Sequence, residues 1–281
     1  MKKLSLLLLL ILVLFVSCGE YNTVMKYGDT DYKYEVAKAY YARGKYTRAS
    51  ELLNSVIIGL KGSPYGEESL YLMAMSNFLN KDYEVASTAF KKYYQSYPRG
   101  IYVEEARYYS ALALYNSVPD PRLDQSSTSL AINELQSFLD HYPSTRLKEQ
   151  TQEMIQKLQD HLVEKELRSA QLYYDLGGYI GNCMSGGSNY EACIVTSENA
   201  LRDYPLALPA RREQFMLLIL RSRYHLARQS VEDKRLDRFR QTIDEYYGFA
   251  NEFPESEHIK EAENYLKKSQ KALKGQPLEE D

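Results

Sequence analysis

Three cysteines and four histidines are the side chains of this 281-residue sequence best suited to covalent, metal or acid–base chemistry. The histidines are scattered, and none forms a metal-ligand pair or stands beside a nucleophile motif. Acidic pairs such as Glu67-Glu68 and Glu104-Glu105 come at predicted helix starts, where the helix dipole favours them. Gly186-Gly187-Ser188 lacks the lysine that follows in a phosphate-binding loop. The sequence therefore predicts no catalytic site, no metal site and no enzyme activity.

One cysteine follows an apolar N-terminal stretch. Residues Leu4 to Val16 are apolar apart from Ser5 and come after a short basic start. This stretch is too short to span a bilayer stably, and it predicts a signal peptide over residues 1–17. Cys18 follows Phe15-Val16-Ser17, a sequence similar to a bacterial lipobox. In that context the thiol receives a diacylglycerol and the amine freed by cleavage receives an acyl chain. Cys18 is the predicted lipidation site.

Lipid chains on Cys18 would anchor the mature protein, because each buried CH₂ contributes about 0.8 kcal/mol. Residues 18–30 are polar and weakly patterned, and we expect them to form a lipidated tether. Neither Gly19 nor Glu20 is the aspartate that indicates retention in the inner membrane, so the outer membrane is predicted. The alternative is an ordinary signal peptide with an incidental cysteine. No cofactor is expected beyond the lipid.

The two other cysteines, Cys183 and Cys193, flank a glycine-rich insert. In an oxidising periplasm a disulfide between them would close a short loop and contribute on the order of 3 kcal/mol. Cys193 also occupies a small-residue position equivalent to Ala49 and Ala86, where a buried free thiol packs well. Both interpretations stay open.

Charge and hydropathy exclude two classes of partner. Without Lys2 and Lys3, the mature chain has a net charge near −5 and lacks the basic field that nucleic-acid binding needs. No later apolar run reaches about 18 residues, so the sequence predicts no further membrane span.

A pattern of small and aromatic residues recurs at a fixed offset of 37 residues. Equivalent places are occupied by Ala37, Ala74 and Ala111, by Tyr34, Tyr71 and Tyr108, and by Tyr41, Phe78 and Tyr115. A period in the thirties is the signature of stacked helical repeats. The predicted fold class is all-α, an α-solenoid of about five helix pairs with a C-terminal capping helix.

Prolines indicate where repeats end. An aromatic residue precedes a proline at Tyr97-Pro98, Tyr142-Pro143, Tyr204-Pro205 and Phe253-Pro254. Proline ends a helix because it lacks the N–H for the next turn. We expect repeats one to three in residues 31–143, repeats four and five with the capping helix in 144–274, and a tail in 275–281. A long helix from Ser144 to about Gly177 should lead into the fourth repeat.

The second copy resembles the tetratricopeptide repeat. Five of its residues match the family's positions: Ala74, Tyr83, Ala86, Phe90 and Pro98. Leu70 replaces the usual tryptophan, and Lys81 replaces a glycine that the first copy keeps as Gly44. The match implies a fold rather than a function.

In that family, positions 5, 9 and 12 of the first helix face a concave groove. The aromatic ladder predicted at those positions is Tyr34, Tyr41, Tyr71, Met75, Phe78, Tyr108 and Tyr115. Such a groove suits an extended peptide with alternate aromatic side chains, each contact contributing about 0.5–1.5 kcal/mol beyond area burial. Ordinary packing between helices is the other interpretation, because the chain uses 27 tyrosines as general filler.

The whole arrangement resembles the BamD family of lipoproteins of the β-barrel assembly machine. The similarity depends on the lipobox, five helix pairs, the insert from Asp120 to Gln125, the long helix, and Leu201-Arg202-Asp203-Tyr204-Pro205. It implies a non-enzymatic scaffold at the periplasmic face of the outer membrane. N-terminal repeats would then receive unfolded outer-membrane proteins, and C-terminal repeats would bind periplasmic domains of the barrel protein BamA. The insert from Gly177 to Ser188 is longer than the family's.

Two alternatives remain. A periplasmic repeat scaffold that coordinates cell-wall synthesis would usually carry a coiled-coil segment, and no sustained heptads are present. A lipid-anchored glycan-binding protein could stack sugars on the ladder, but such proteins are usually about twice this length.

Overall fold

The structure is a computed structural model that describes residues 20–179 and 188–277. Within these residues the chain is helical and contains no strand. The helices are α1 (residues 20–27), α2 (Thr30–Ala42), α3 (Tyr46–Val56), α4 (Gly66–Leu79), α5 (Tyr83–Ser96), α6 (Val103–Asn116), α7 (Ser126–His141), α8 (Lys148–Asp175), α9 (Asn189–Asp203), α10 (Pro209–Arg228), α11 (Glu232–Glu252) and α12 (Ile259–Leu273). Five pairs from α2 to α11, followed by α12, confirm the predicted fold class. The predicted signal peptide, Cys18 and Cys183 lie outside the described residues.

The chain divides into two compact units. Unit 1 contains the described residues up to Pro119 together with Gln125–Ile155, and unit 2 contains Asp120–Asp124 and the described residues from Gln156 onward. This division falls inside α8, which is the long helix that the sequence predicts. The functional division proposed at Pro143 stays a prediction.

Small and large residues alternate in the core of unit 1. Alanines where helices approach closely have no exposed surface: Ala37, Ala49, Ala74, Ala86, Ala106 and Ala111. Phe90 and Tyr93 are equally buried and fill the space between neighbouring helix pairs. Side chains of different size can therefore interdigitate at close packing.

Each of the four predicted proline stops is observed. Helices α5, α7, α9 and α11 end at Ser96, His141, Asp203 and Glu252, two residues before a proline in every case. The residue that precedes a proline is disfavoured in helical conformation, which sets the end of the helix.

The structure corrects part of the predicted tether. Residues 20–27 form α1, and Val24 is buried in the core of unit 1 with 4% of its surface exposed. Tyr21 and Met25 pack against the same core. A helix of eight residues is unstable alone, so its conformation depends on these tertiary contacts.

Unit 2 combines an apolar core with ion pairs between helices. Val163 and Ala170 of α8 pack with Cys193 of α9 and with Phe215 and Leu218 of α10. Three arginines of α10 each bind acidic side chains of other helices: Arg211 with Asp160 and Glu164, Arg221 with Glu261, and Arg223 with Glu198 and Glu245. These pairs give the helix stack of unit 2 a fixed register.

Candidate peptide-binding site

The predicted aromatic ladder separates into a buried and a half-buried set. Tyr34, Tyr71, Met75 and Tyr108 expose between 1% and 8% of their surface. Side chains enclosed to this degree offer almost no area to a ligand, which favours packing between helices as the role of these four, and their place in a groove stays a prediction. Tyr41, Phe78 and Tyr115 are half-buried and keep surface that a ligand could contact.

Hydrogen bonds to glutamates satisfy the hydroxyl groups of two of these buried tyrosines. Tyr71 donates a hydrogen bond of 2.7 Å to Glu105, and Tyr34 donates to Glu68 in the equivalent place one repeat earlier. Burial and the adjacent Glu68 carboxylate raise the pKa of Tyr34 to about 12. Burial and Glu105 likewise raise the pKa of Tyr71. Each phenol therefore stays neutral and links the first helices of successive repeats.

Glu67, which precedes Glu68 in α4, also accepts hydrogen bonds from residues outside its own helix. Glu67 accepts hydrogen bonds from the hydroxyl of Tyr93 and from the backbone N–H of Ile101, the latter at 2.7 Å. The N–H of Tyr102 in turn donates to the Tyr93 hydroxyl oxygen at 3.1 Å. The sequence assigned such glutamates to helix starts, and the structure adds their bonds to tyrosines of other helices.

A half-buried group of rings, here called the groove cluster, consists of Tyr41, Phe78 and Tyr109. The rings of Phe78 and Tyr109 meet edge to face with centroids 5.2 Å apart. Burial, with Tyr46 and Tyr109 nearby, raises the pKa of Tyr41. This surface can offer ring faces to an extended apolar peptide.

Tyr109 was missed by sequence reasoning. Its equivalents one and two repeats earlier are Leu72 and Glu35, so the position has no periodic signal. Its ring also stacks on Phe90 with centroids 5.6 Å apart, which fixes its orientation. Tyr115 lies farther along α6, and no ring contact to it occurs in the part of the chain that the structure describes.

A separate cleft of about 740 Å³ opens in unit 1 where α6 begins and α7 ends. Its lining includes Glu104, Glu105 and Arg146, with Ile101 82% exposed at its edge. The hydroxyl of Thr145 donates a hydrogen bond of 2.8 Å to Glu104. The carboxylates suit basic or amide groups of a peptide and lack an arrangement for catalysis.

The described residues offer few groups for metal binding or covalent modification. Among residues 20–179 and 188–277, no group of three His, Cys, Asp or Glu side chains could hold a metal ion. Cys193 is buried and forms no disulfide with another described residue, and burial raises the pKa of its thiol. Its predicted disulfide with Cys183 stays a prediction, since Cys183 lies outside the described residues. No helix in the described ranges is long and apolar enough to cross a bilayer.

Comparison with known proteins adds a family and a relative. The family described as YfiO, outer membrane lipoprotein, matches residues 28–184, which include α2 to α8. The outer membrane protein assembly factor BamD of Rickettsia prowazekii (strain Madrid E) is 26% identical over 129 residues. That alignment covers 46% of this chain and 51% of the relative, so the chain spans about half the length of the curated protein it matches.

Proposed function

This chain belongs to the YfiO family of outer membrane lipoproteins, and we propose that it is a non-enzymatic, lipid-anchored scaffold in the assembly of outer-membrane β-barrel proteins. The observation that carries the proposal is the family match over residues 28–184. The similarity to the relative named as an assembly factor, at 26% identity over 129 residues, also supports it. The all-α units support a binding role, because stacked helix pairs present extended surfaces for other chains.

The proposed anchor is a diacylglycerol and an N-acyl chain on Cys18, at the periplasmic face of the outer membrane. Two or three acyl chains hold a protein on a bilayer without a spanning helix. The family's description as a lipoprotein supports this modification.

Unfolded outer-membrane proteins are the proposed clients of unit 1. Tyr41 and Phe78 of the groove cluster, with Tyr115 farther along α6, present partly exposed rings. An extended segment with alternate aromatic residues could place its rings against them. A few such contacts, less the cost of ordering the segment, correspond to micromolar binding of about −8 kcal/mol. This affinity allows a client to be released to the next component.

The second proposed partner is a BamA-like barrel protein, bound through its periplasmic domains by residues 144–274. Ion pairs connect helices α10 to α12. In the pair Arg221–Glu261, each carboxylate oxygen of Glu261 lies 2.7 Å from a guanidinium nitrogen. A rigid surface of this kind loses little conformational entropy on docking.

A pull-down tests the proposed role. The chain with a C-terminal tag would be isolated from native membranes in mild detergent, and its partners identified by mass spectrometry. We expect to recover a large outer-membrane barrel with periplasmic domains. Recovery of cell-wall enzymes or of a sugar transporter in its place would contradict the proposal and favour one of the two alternatives.

Peptide binding tests the client surface separately. The triple variant Tyr41→Ala, Phe78→Ala, Tyr115→Ala should weaken binding of a labelled peptide with alternate aromatic residues about tenfold or more. Tyr27→Ala is the matched control, because Tyr27 is 74% exposed and lies outside the cluster. Equal affinity of the triple variant and the wild type, with both shown to be folded by circular dichroism, would remove the client role from this surface.

A further inference from the structure

Helix α1 is held against the first repeat at its N-terminal end. The Tyr21 hydroxyl donates a hydrogen bond to Glu51 of α3, and its ring meets the edge of Tyr40 of α2 with centroids 5.9 Å apart. The guanidinium of Arg48 lies over both rings, 5.2 Å from Tyr21 and 5.6 Å from Tyr40. Val24, one turn later, is buried. Three independent contacts therefore fix the position of Tyr21.

The chain reverses direction between α1 and α2. The N–H of Gly28 donates to the carbonyl of Val24 at 2.9 Å and ends α1. The Asp29 side chain then accepts a hydrogen bond of 2.8 Å from the N–H of Tyr32 and begins α2. Because α1 runs back along α2, its first residues lie beside the last turns of α2 and the first turn of α3. The start of α1 is thus near the α2–α3 turn.

Few residues separate this fixed point from the proposed lipid anchor. Cys18 precedes Tyr21 by three residues, and three residues span at most about 11 Å when fully extended. Acyl chains on Cys18 would hold the start of α1 within that distance of the membrane surface. A free tether of the length predicted from the sequence would impose no such orientation.

We infer that the turn edge of unit 1, formed by the α2–α3 turn (residues 43–45) and the α4–α5 turn (residues 80–82), faces the membrane and contacts anionic lipid headgroups. This inference depends on the lipidation of Cys18 in the proposed function. A hydrogen bond of 3.1 Å between Thr47 and Asn80 joins the first turn of α3 to the α4–α5 turn. The occupant of this surface is therefore the bilayer that holds the anchor.

The side chains at the turn edge fit such a surface. Arg43, Lys45 and Lys81 are exposed there, and cations close to a membrane are attracted to anionic headgroups. Two carboxylates near this edge, Glu51 and Asp82, accept hydrogen bonds from the Tyr21 hydroxyl and, at 2.5 Å, from the Asn80 amide, and both keep their negative charge. Lys45 also lies 6.0 Å from the centroid of the Tyr40 ring. The three exposed cations can still approach lipid phosphates from the solvent side.

The opposite edge of unit 1 lies at the other end of the same helices. Lys45 precedes α3 and Ile58 follows it, and a helix of that length extends about 16 Å. Gly59 lies against Thr30, the first residue of α2, which places this loop beside the start of α2. Ile58 is 85% exposed. The inference places this edge away from the headgroups.

The absence of tryptophan from the sequence permits a direct test. The lipidated mature chain would carry one tryptophan, at the turn edge (Ala42→Trp) or at the opposite edge (Ile58→Trp), and both positions are exposed. Each variant would be reconstituted into vesicles that contain phosphatidylglycerol and lipids brominated near the headgroup. We expect Ala42→Trp to lose fluorescence by bromine quenching, and Ile58→Trp to keep it. Equal quenching, or stronger quenching of Ile58→Trp, would overturn the inference.

Two further measurements separate the parts of this inference. Flotation of the chain with vesicles tests the anchor: a chain that does not float refutes both the anchor and the orientation, whereas flotation with equal quenching refutes the orientation alone. Adding Arg43→Glu and Lys45→Glu to Ala42→Trp should reduce quenching in vesicles with phosphatidylglycerol. Unchanged quenching in that variant would show that these two cations do not contact the headgroups.

Discussion

The hydroxyl of Tyr71 donates a hydrogen bond of 2.7 Å to the carboxylate of Glu105, and the two residues belong to successive repeats. Tyr34 and Glu68 form the same pair one repeat earlier, with the same separation in sequence. A phenol inside the aromatic layer thus finds an acceptor at the start of the next first helix. In unit 1 this bond therefore always runs from a tyrosine of one repeat to a glutamate of the following repeat.

Removing the Tyr71 hydroxyl would measure how much this hydrogen bond contributes to the free energy of unfolding. Tyr71→Phe keeps the ring and leaves Glu105 without its donor, so we expect a loss of about 1–2 kcal/mol in the free energy of unfolding. Urea unfolding followed by circular dichroism would measure it. Tyr27→Phe, at a 74% exposed position, is the control and should change little. Equal unfolding midpoints for Tyr71→Phe and the wild type would show that the bond contributes nothing.

Alkaline pH should weaken unit 1 through Tyr34. Its pKa is raised in the folded chain from the ordinary value near 10 to about 12. A raised folded-state pKa gives stability that is complete below pH 10 and is lost as the pH rises toward 12. Tyr34→Phe should therefore lose less stability than the wild type between pH 10 and pH 12. Urea unfolding at several pH values would measure this, and parallel curves for both proteins would contradict it.

Glycine should be favoured at the same position of two equivalent turns. Gly44 has φ of 71°, and Lys81 adopts φ of 67° at the corresponding place in the next repeat. An L-residue in this conformation costs about 1–2 kcal/mol, partly offset by the entropy that glycine loses on folding. Lys81→Gly should stabilise the chain by about 0.5–1 kcal/mol, and Gly44→Ala should destabilise it by about 1 kcal/mol.

Thermal unfolding of Lys81→Gly and Gly44→Ala would test these two stability changes. The space around Gly44 is open, so a methyl group there meets no neighbour and the effect comes from the backbone. Shifts of the unfolding temperature with the same sign in both variants would refute the argument.

The Arg211 ion pair should stabilise unit 2 more than a surface pair does. Its guanidinium lies 3.2 Å from Asp160 and 3.0 Å from Glu164, and all three side chains are largely shielded from water. Arg211→Gln removes this counter-ion from Asp160 and leaves Glu164 paired with Arg168 alone, so we expect a loss of about 1–3 kcal/mol.

Arg202→Gln is the matched control for that variant. Arg202 and Asp203 are 69% and 57% exposed, and exposed pairs contribute about 0–1 kcal/mol. Urea unfolding of both variants at low and high salt would compare them. A loss for Arg211→Gln no greater than that for Arg202→Gln would contradict the prediction.

Cys193 should be unreactive in the folded chain. It is buried, and burial raises its pKa, which lowers the fraction of reactive thiolate. We expect a maleimide to label Cys193 only after unfolding in urea, without any reductant. Mass spectrometry of the peptide would show the adduct. Labelling that requires a reductant as well would establish the disulfide with Cys183.

Much of the fold could be predicted from local pattern. Alanines at an offset of 37, such as Ala37 and Ala74, recur because every repeat needs close approach of two helices at the same place. The helix ends before Pro98 and Pro254 follow from the missing N–H of proline, which acts wherever it occurs. The resemblance to the BamD family, stated from order and spacing alone, agrees with the family match over residues 28–184.

The candidate site was predicted less completely, because periodicity identifies equivalent positions without saying which way they face. Tyr34 and Tyr71 recur since each contacts the next repeat, and a groove residue would recur just as regularly. Tyr109 has no aromatic equivalent one or two repeats earlier, so the pattern could not reveal it.

The sequence by itself determined the repeated helices from α2 onward, the helix ends before the prolines and the repeat, because these depend on neighbouring residues along the chain. The tertiary structure alone decided which tyrosines are enclosed, where α1 lies and which carboxylates accept the phenols. Those properties depend on residues far apart in sequence: Tyr21 is held by Tyr40 and Glu51, and no local pattern encodes that contact.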